Sequence, residues 1–164
     1  MTALPLAFRV ALAAAAARFP GLPKPELRAF RGGPATYFES QPRPGGRCVV
    51  FADPRAAALP SDALEAILAH ELAHCESYRA MSLPALARLG LLYWLSPDGP
   101  RVAAYERAMD ERVVALGLGP GLKAYRRWLY PRLTPARRAL KRRLYLTPQE
   151  IDARIRADAR RQEL

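Results

Sequence analysis

The chain has 164 residues, of which 51% are hydrophobic and 25% charged, values of an ordinary globular domain that exclude collagen-like order and wholesale disorder. Two cysteines exclude both a disulfide-dense scaffold and a four-cysteine zinc site, and no apolar run approaches the roughly 20 residues of a membrane-spanning helix. The net charge of +11 is uneven: residues 121–164 carry 13 basic and 4 acidic side chains, so the first 120 residues are close to neutral. Such a basic end fits an anionic partner, an acidic protein or an anionic membrane surface; with no zinc finger, RNP motif or basic zipper, nothing points to nucleic acid.

In chain order, Leu6 to about Arg18 is an Ala-rich stretch predicted to be helical and closed by Phe19-Pro20-Gly21. No basic residue precedes its apolar run, so the pattern reads as a mature cytoplasmic start and not as a signal peptide. Glu26–Phe30 and Ala35–Glu39 are predicted to form a hairpin about Gly32-Gly33. Pro42–Gly46 is a turn, and Cys48–Ala52 is a compact apolar run suited to a buried strand.

The strongest element runs from Ser61, predicted as N-cap, to about Met81. At 100° per residue Leu64, Leu68, Leu72 and Cys75 form a core-facing stripe, with His70 and His74 on the neighbouring one. A helix opened by Ser82 and Pro84 ends near Leu95, and the turn Ser96–Pro100 leads into a helix over about 101–116. The basic end offers two or three more helices, broken by Pro131, Pro135 and Pro148. Cys48 and Cys75 read as buried, reduced thiols, and the aromatics Tyr93, Trp94, Tyr125, Trp128 and Tyr130 as core residues before membrane anchors.

His70-Glu71-Leu72-Ala73-His74 is an HExxH pattern, and it uses both histidines of the chain. Residues four apart share a helix face, so two imidazoles converge on one cation; zinc suits them. The glutamate between them stands where it can deprotonate a water that the metal has acidified. A third ligand must then be a carboxylate. Glu106 and Asp110, also four apart, offer one to the metal and one to fix an imidazole tautomer. Glu111 lies off that face and reads as a surface charge.

The stretches LPSDALEAILAHELAH and LLYWLSPDGPRVAAYERAMDERVVALG resemble the gluzincin metallopeptidases. They are similar to the peptidase domain of BlaR/MecR antibiotic sensors and to CAAX prenyl endopeptidases. The resemblance spans about residues 47–117. It implies a zincin-like α+β fold, mostly helical, with a small sheet on the HExxH helix. It implies zinc on His70, His74 and Glu106, Glu71 as general base and Asp110 orienting an imidazole. It also implies that Ala35–Glu39 lines the cleft, where an extended substrate would add as a strand. Tyr105 and Arg112 are candidates for oxyanion stabilisation.

Those relatives are mostly integral membrane proteins, so this chain would be a soluble form like the minigluzincins, cytoplasmic or peripheral to a membrane. The expected organisation is a metallopeptidase core over 1–120 and a basic helical extension over 121–164 packed on it. The expected function is zinc-dependent endopeptidase action on a peptide or protein substrate. Two rivals stand beside it. One is a repressor-cleaving peptidase of the ImmA type, against which speaks Met109-Asp110 where that type carries Ala-Asn. The other is a non-catalytic module that binds an anionic partner through residues 121–164, with zinc merely structural.

Overall fold

The computed structural model describes residues 4–33 and 35–162. The chain is mostly helical with one three-stranded sheet, an α+β arrangement. Helix α1 (Leu6–Ala16) buries Phe8, Ala11, Leu12 and Ala15, the i, i+3, i+4, i+7 stripe of an amphipathic helix, and packs on α2 (Ser61–Ala80).

Strand β1 (Glu26–Ala29) pairs in parallel with β3 (Arg47–Ala52), and β2 (Phe38–Arg43) pairs antiparallel with β3. The expected hairpin between the first two strands therefore does not form: β3 lies between them. The reason is burial. Residues 48–50 of β3 are buried in succession, as a central strand requires, whereas β2 alternates buried Phe38 and Ser40 with exposed Glu39. Pro42 lacks a ladder N–H and is tolerated on that outer strand. The turn Pro44–Gly46 joins β2 to β3, and Gly45 and Gly46 take the left-handed φ values of 75° and 69°.

Helix α2 starts at Ser61 as its first helical residue, after Pro60, so Ser61 is not the cap; Asp62 Oδ1 instead accepts from the Ala63 N–H at 2.8 Å. Leu64, Leu68, Leu72 and Cys75 are buried, as their stripe requires. The two cysteines, read as reduced thiols, are joined: Cys48 of β3 and Cys75 of α2 form a disulfide, and no free cysteine remains. The premise that favoured a cytosolic compartment does not hold. Spacing of 27 residues in sequence gave no hint of the pairing, which depends on β3 lying against α2.

Helix α3 (Leu83–Leu95) is capped by Ser82, whose hydroxyl accepts from the Ala85 N–H. Its outer face leaves Leu83, Leu91, Trp94 and Leu95 exposed. Helix α4 (Pro100–Val113) runs into a wide turn, Val114–Leu118, where Gly117 has φ 80°. Then come α5 (Gly119–Leu129), α6 (Pro135–Leu144) and α7 (Pro148–Gln162). Tyr125 and Tyr130 are buried and Trp128 packs partly against the core, as expected of core aromatics, but Trp94, expected with them, stands exposed because it lies on the outer face of α3. None of the described helices is long and apolar enough to cross a membrane.

The basic last quarter of the chain is thus no loose appendage. Helix α5 packs on α2, and Gly121 allows the closest approach: a Cβ there would stand 2.2 Å from the Asp62 carbonyl oxygen.

Candidate metal centre

The helical spacing of α2 sets His70 and His74 on one face, and that of α4 sets Glu106 and Asp110 on one face; the packing of α2 on α4 brings the faces together. All four side chains are buried. His70 Nε2, His74 Nε2 and Glu106 Oε2 form a triangle with each side 3.2 Å. Ligands about 2.0–2.1 Å from a tetrahedral ion would stand about 3.3 Å from one another. The three atoms therefore have the spacing of one ion's coordination shell, and the group is able to hold a metal.

The protonation pattern points the same way. His70 Nδ1 lies 2.9 Å from Asp110 Oδ1, a close but bent contact. A proton on Nδ1 leaves Nε2 as a lone pair facing a carboxylate oxygen and a second imidazole nitrogen. Three electron-rich atoms so placed call for a cation. Burial would lower the His70 pKa, but Asp110 and Glu106 outweigh it and raise it to about 10. Burial would likewise raise Glu106, but the two imidazoles hold it well below the usual carboxylate range.

Around the triangle each group is held from outside. Tyr93 of α3 donates its hydroxyl to Glu106 Oε1, leaving Oε2 for the cluster. The Tyr78 ring stacks on His74 with centroids 5.9 Å apart, and the Tyr145 ring lies 5.8 Å from His70. Asp110 accepts from Arg126 at 2.8 and 2.9 Å and from the Leu146 N–H at 2.8 Å. Burial pushes the Asp110 carboxyl up, yet Arg126 and His70 bring it below its ordinary value.

Glu71 lines the same cavity as the two histidines and Glu106. Burial pushes its carboxyl up, against the pull of His70 and His74. Ser40 of β2 lines that cavity too, with a buried hydroxyl that finds no hydrogen-bond partner among the described residues. The cavity measures about 710 Å³. Its walls are residues 35–40 with the outer strand β2, the inner face of α3 (Leu86, Leu89, Gly90, Tyr93), and Arg137, Leu140, Lys141 and Leu144 of α6. The segment Ala35–Glu39 thus lines the cleft, although the strand itself begins only at Phe38.

The two oxyanion candidates fall elsewhere. Arg112 pairs with Glu76 through Nε and an Nη at 2.9 and 3.0 Å and lies over Phe19, off the cavity lining. Tyr105 donates to Ser77 Oγ at 3.1 Å, its ring 5.2 Å from His74, also off that lining. Glu111 pairs with Arg154 at the surface, as its position on the helix implied.

Sequence reasoning missed Tyr93, Arg126, Lys141 and Tyr145. One signal was available for Arg126. It stands on the stripe Leu122, Tyr125, Arg126, Leu129, where a cation inside an apolar pattern demands a buried partner.

Comparison with protein-family models, with curated proteins and with solved structures found no match to the chain.

Proposed function

We propose that this chain is a zinc-dependent endopeptidase with a zincin-like, gluzincin-type centre on His70, His74 and Glu106. The observation that carries the reading is the 3.2 Å triangle of two imidazole nitrogens and a carboxylate oxygen, with Glu71 beside it in one cavity. Three protein ligands leave one tetrahedral position for water or substrate, the pattern of a catalytic and not of a structural zinc. This disfavours a module in which zinc only braces the fold.

Zinc, when bound, supplies Lewis acidity toward a carbonyl and acidifies water at its open position to a pKa of about 7. The protein's own groups do the rest. Glu71 receives the proton of the attacking water on its carboxylate and returns it to the leaving amine nitrogen. Burial raises its pKa toward the working range of such a base. Asp110 fixes the His70 tautomer, and Tyr93 fixes the rotation of the Glu106 carboxyl. The outer edge of β2 offers unpaired backbone groups to an extended peptide, and Phe38, Ser40 and Pro42 face it from the cavity wall.

The deciding experiment pairs metal analysis with hydrolysis of a denatured protein such as casein. About one zinc per chain is expected, lost in His74→Ala. Glu71→Gln is expected to keep the zinc and lose chelator-sensitive cleavage. Equal turnover by Glu71→Gln would refute the assignment of the base.

A further inference from the structure

Helix α6 carries five basic residues and no acidic one. Two of them, Arg137 and Lys141, are four apart and so share a face, and both line the cavity that holds Glu71 and the metal cluster. Among the described residues neither has an ion-pair partner. The contrast with their neighbours is sharp: Arg126 is matched by Asp110, Arg107 by Glu150 and Lys123 by Asp152. Lys141 Nζ stands 4.8 Å from the Tyr145 ring centroid, and that ring is the one beside His70. A half-buried ammonium therefore lies one aromatic ring away from a metal ligand.

Four carboxylates line the same cavity, Glu39, Glu71, Asp98 and Glu106, and among the described residues none of them forms an ion pair with Arg137 or Lys141. Glu106 and Glu71 belong to the reaction centre. Glu39 on β2 accepts from Gln41 at 2.8 Å, and Asp98 lies in the loop before α4. The α6 wall is thus cationic, with Leu140 and Leu144 between and beyond the two charges. Burial, and after it Arg126, lowers the Lys141 pKa against the opposing pull of Glu106, Glu71 and Asp110, so an anion docked on the ammonium would add to a compensation that these carboxylates leave incomplete.

We infer that Arg137 and Lys141 form a subsite for a substrate carboxylate beside the scissile bond. This rests on the peptidase reading and narrows it to peptides that carry an acid at one fixed place. The carboxylate belongs either to an Asp or Glu side chain or to a free C-terminus, and the two sources are separable.

The test uses the full-length, zinc-loaded protein and a proteome-derived peptide library, with cut sites mapped by mass spectrometry with and without chelator. Asp or Glu is expected to be enriched at one position around chelator-sensitive cuts, or else cuts cluster at a fixed distance from free C-termini and vanish on amidation. The pair Arg137→Gln with Lys141→Met is expected to lose that preference by about tenfold, the worth of one charged hydrogen bond. Lys141→Arg should restore it, and Arg143→Gln, an exposed change on the same helix, should leave it intact. Chelator-sensitive cutting without any such preference, or a preference indifferent to Arg137 and Lys141, overturns the subsite and leaves hydrolysis standing.

A second arm does not need turnover. Zinc-loaded Glu71→Gln protein is titrated with fluorescein-labelled octaglutamate and octaglutamine, read by anisotropy. About tenfold tighter binding of octaglutamate, lost in the Arg137→Gln and Lys141→Met pair but not in Arg143→Gln, supports the subsite even if no cleavage is found. Equal affinities, or a difference that the pair leaves unchanged, overturn it. Arg137 is exposed, so Arg137→Gln alone, expected to lose part of the difference, keeps the test open if the Lys141 variant fails to fold.

Discussion

Asp110 Oδ1 lies 2.9 Å from His70 Nδ1, and Arg126 donates to both oxygens of the same carboxylate. If His70 binds a metal as proposed, its tautomer then depends on Arg126, 16 residues beyond Asp110 on the next helix. Asp110→Asn keeps the shape and removes the charge. Its zinc affinity is expected to fall roughly 10–100-fold, the usual cost of losing such an outer partner, measured by competition with a chromophoric chelator. Unchanged affinity would mean that Asp110 only supports packing.

The disulfide ties the residue after His74 to the central strand. Closing a loop of 27 residues is worth about 3–4 kcal/mol through the entropy of the unfolded chain. Reductant, or the paired Cys48→Ala and Cys75→Ala change, is expected to lower the urea midpoint accordingly and to leave the zinc stoichiometry at about one. A midpoint indifferent to reductant would show that the bond does not form in solution.

Asp53, remote from the metal centre's own depressed carboxylates, should add a separate share of acid sensitivity. Its buried carboxylate accepts from the Arg55 side chain and N–H and from the Gly32 N–H. The Arg55 side chain, opposed by burial, holds its pKa below the ordinary value. A depressed carboxylate contributes stability above its unfolded pKa, about 3.9, and loses it as the pH falls through the native value. Asp53→Asn is expected to cost about 1–3 kcal/mol at pH 7. The gap from the parent should close as the pH falls below about 5 and through the depressed native value, as followed by urea titrations. A gap constant across that range would exclude the charge as its cause.

Two glycines should respond with opposite sign. Gly121→Ala would drive a methyl into the Asp62 carbonyl of α2 and is expected to cost about 1–3 kcal/mol. Gly90 sits inside α3 with open space around it, so Gly90→Ala is expected to gain about 0.5–1 kcal/mol. Thermal melts of the two variants decide; a stabilised Gly121→Ala would mean that α5 and α2 are less closely packed than described.

Much of the centre was legible because it obeys one local rule, the four-residue repeat of a helix. That rule paired His70 with His74 and Glu106 with Asp110. Their meeting depends on how α2 crosses α4, which only a shared demand for a cation made foreseeable. Tyr93 was visible as an aromatic on α3, but its hydroxyl's partner is set by tertiary packing. The first and third strands lie close to where the pattern put them, but β2 runs over Phe38–Arg43 and not Ala35–Glu39, taking in Pro42 and Arg43 where a turn was expected, and no local pattern says which strand is central. Arg112 misled by nearness in sequence: two residues beyond Asp110 on a helix is about 200° around it.

The Leu146 N–H that ends on Asp110 has a practical meaning. A shortened chain stopping near residue 120 would retain His70, Glu71, His74 and Glu106, yet it would strip Asp110 of Arg126 and of the Leu146 N–H and leave it His70 alone. Trimming this protein to its recognisable motif would remove the part that makes the motif habitable.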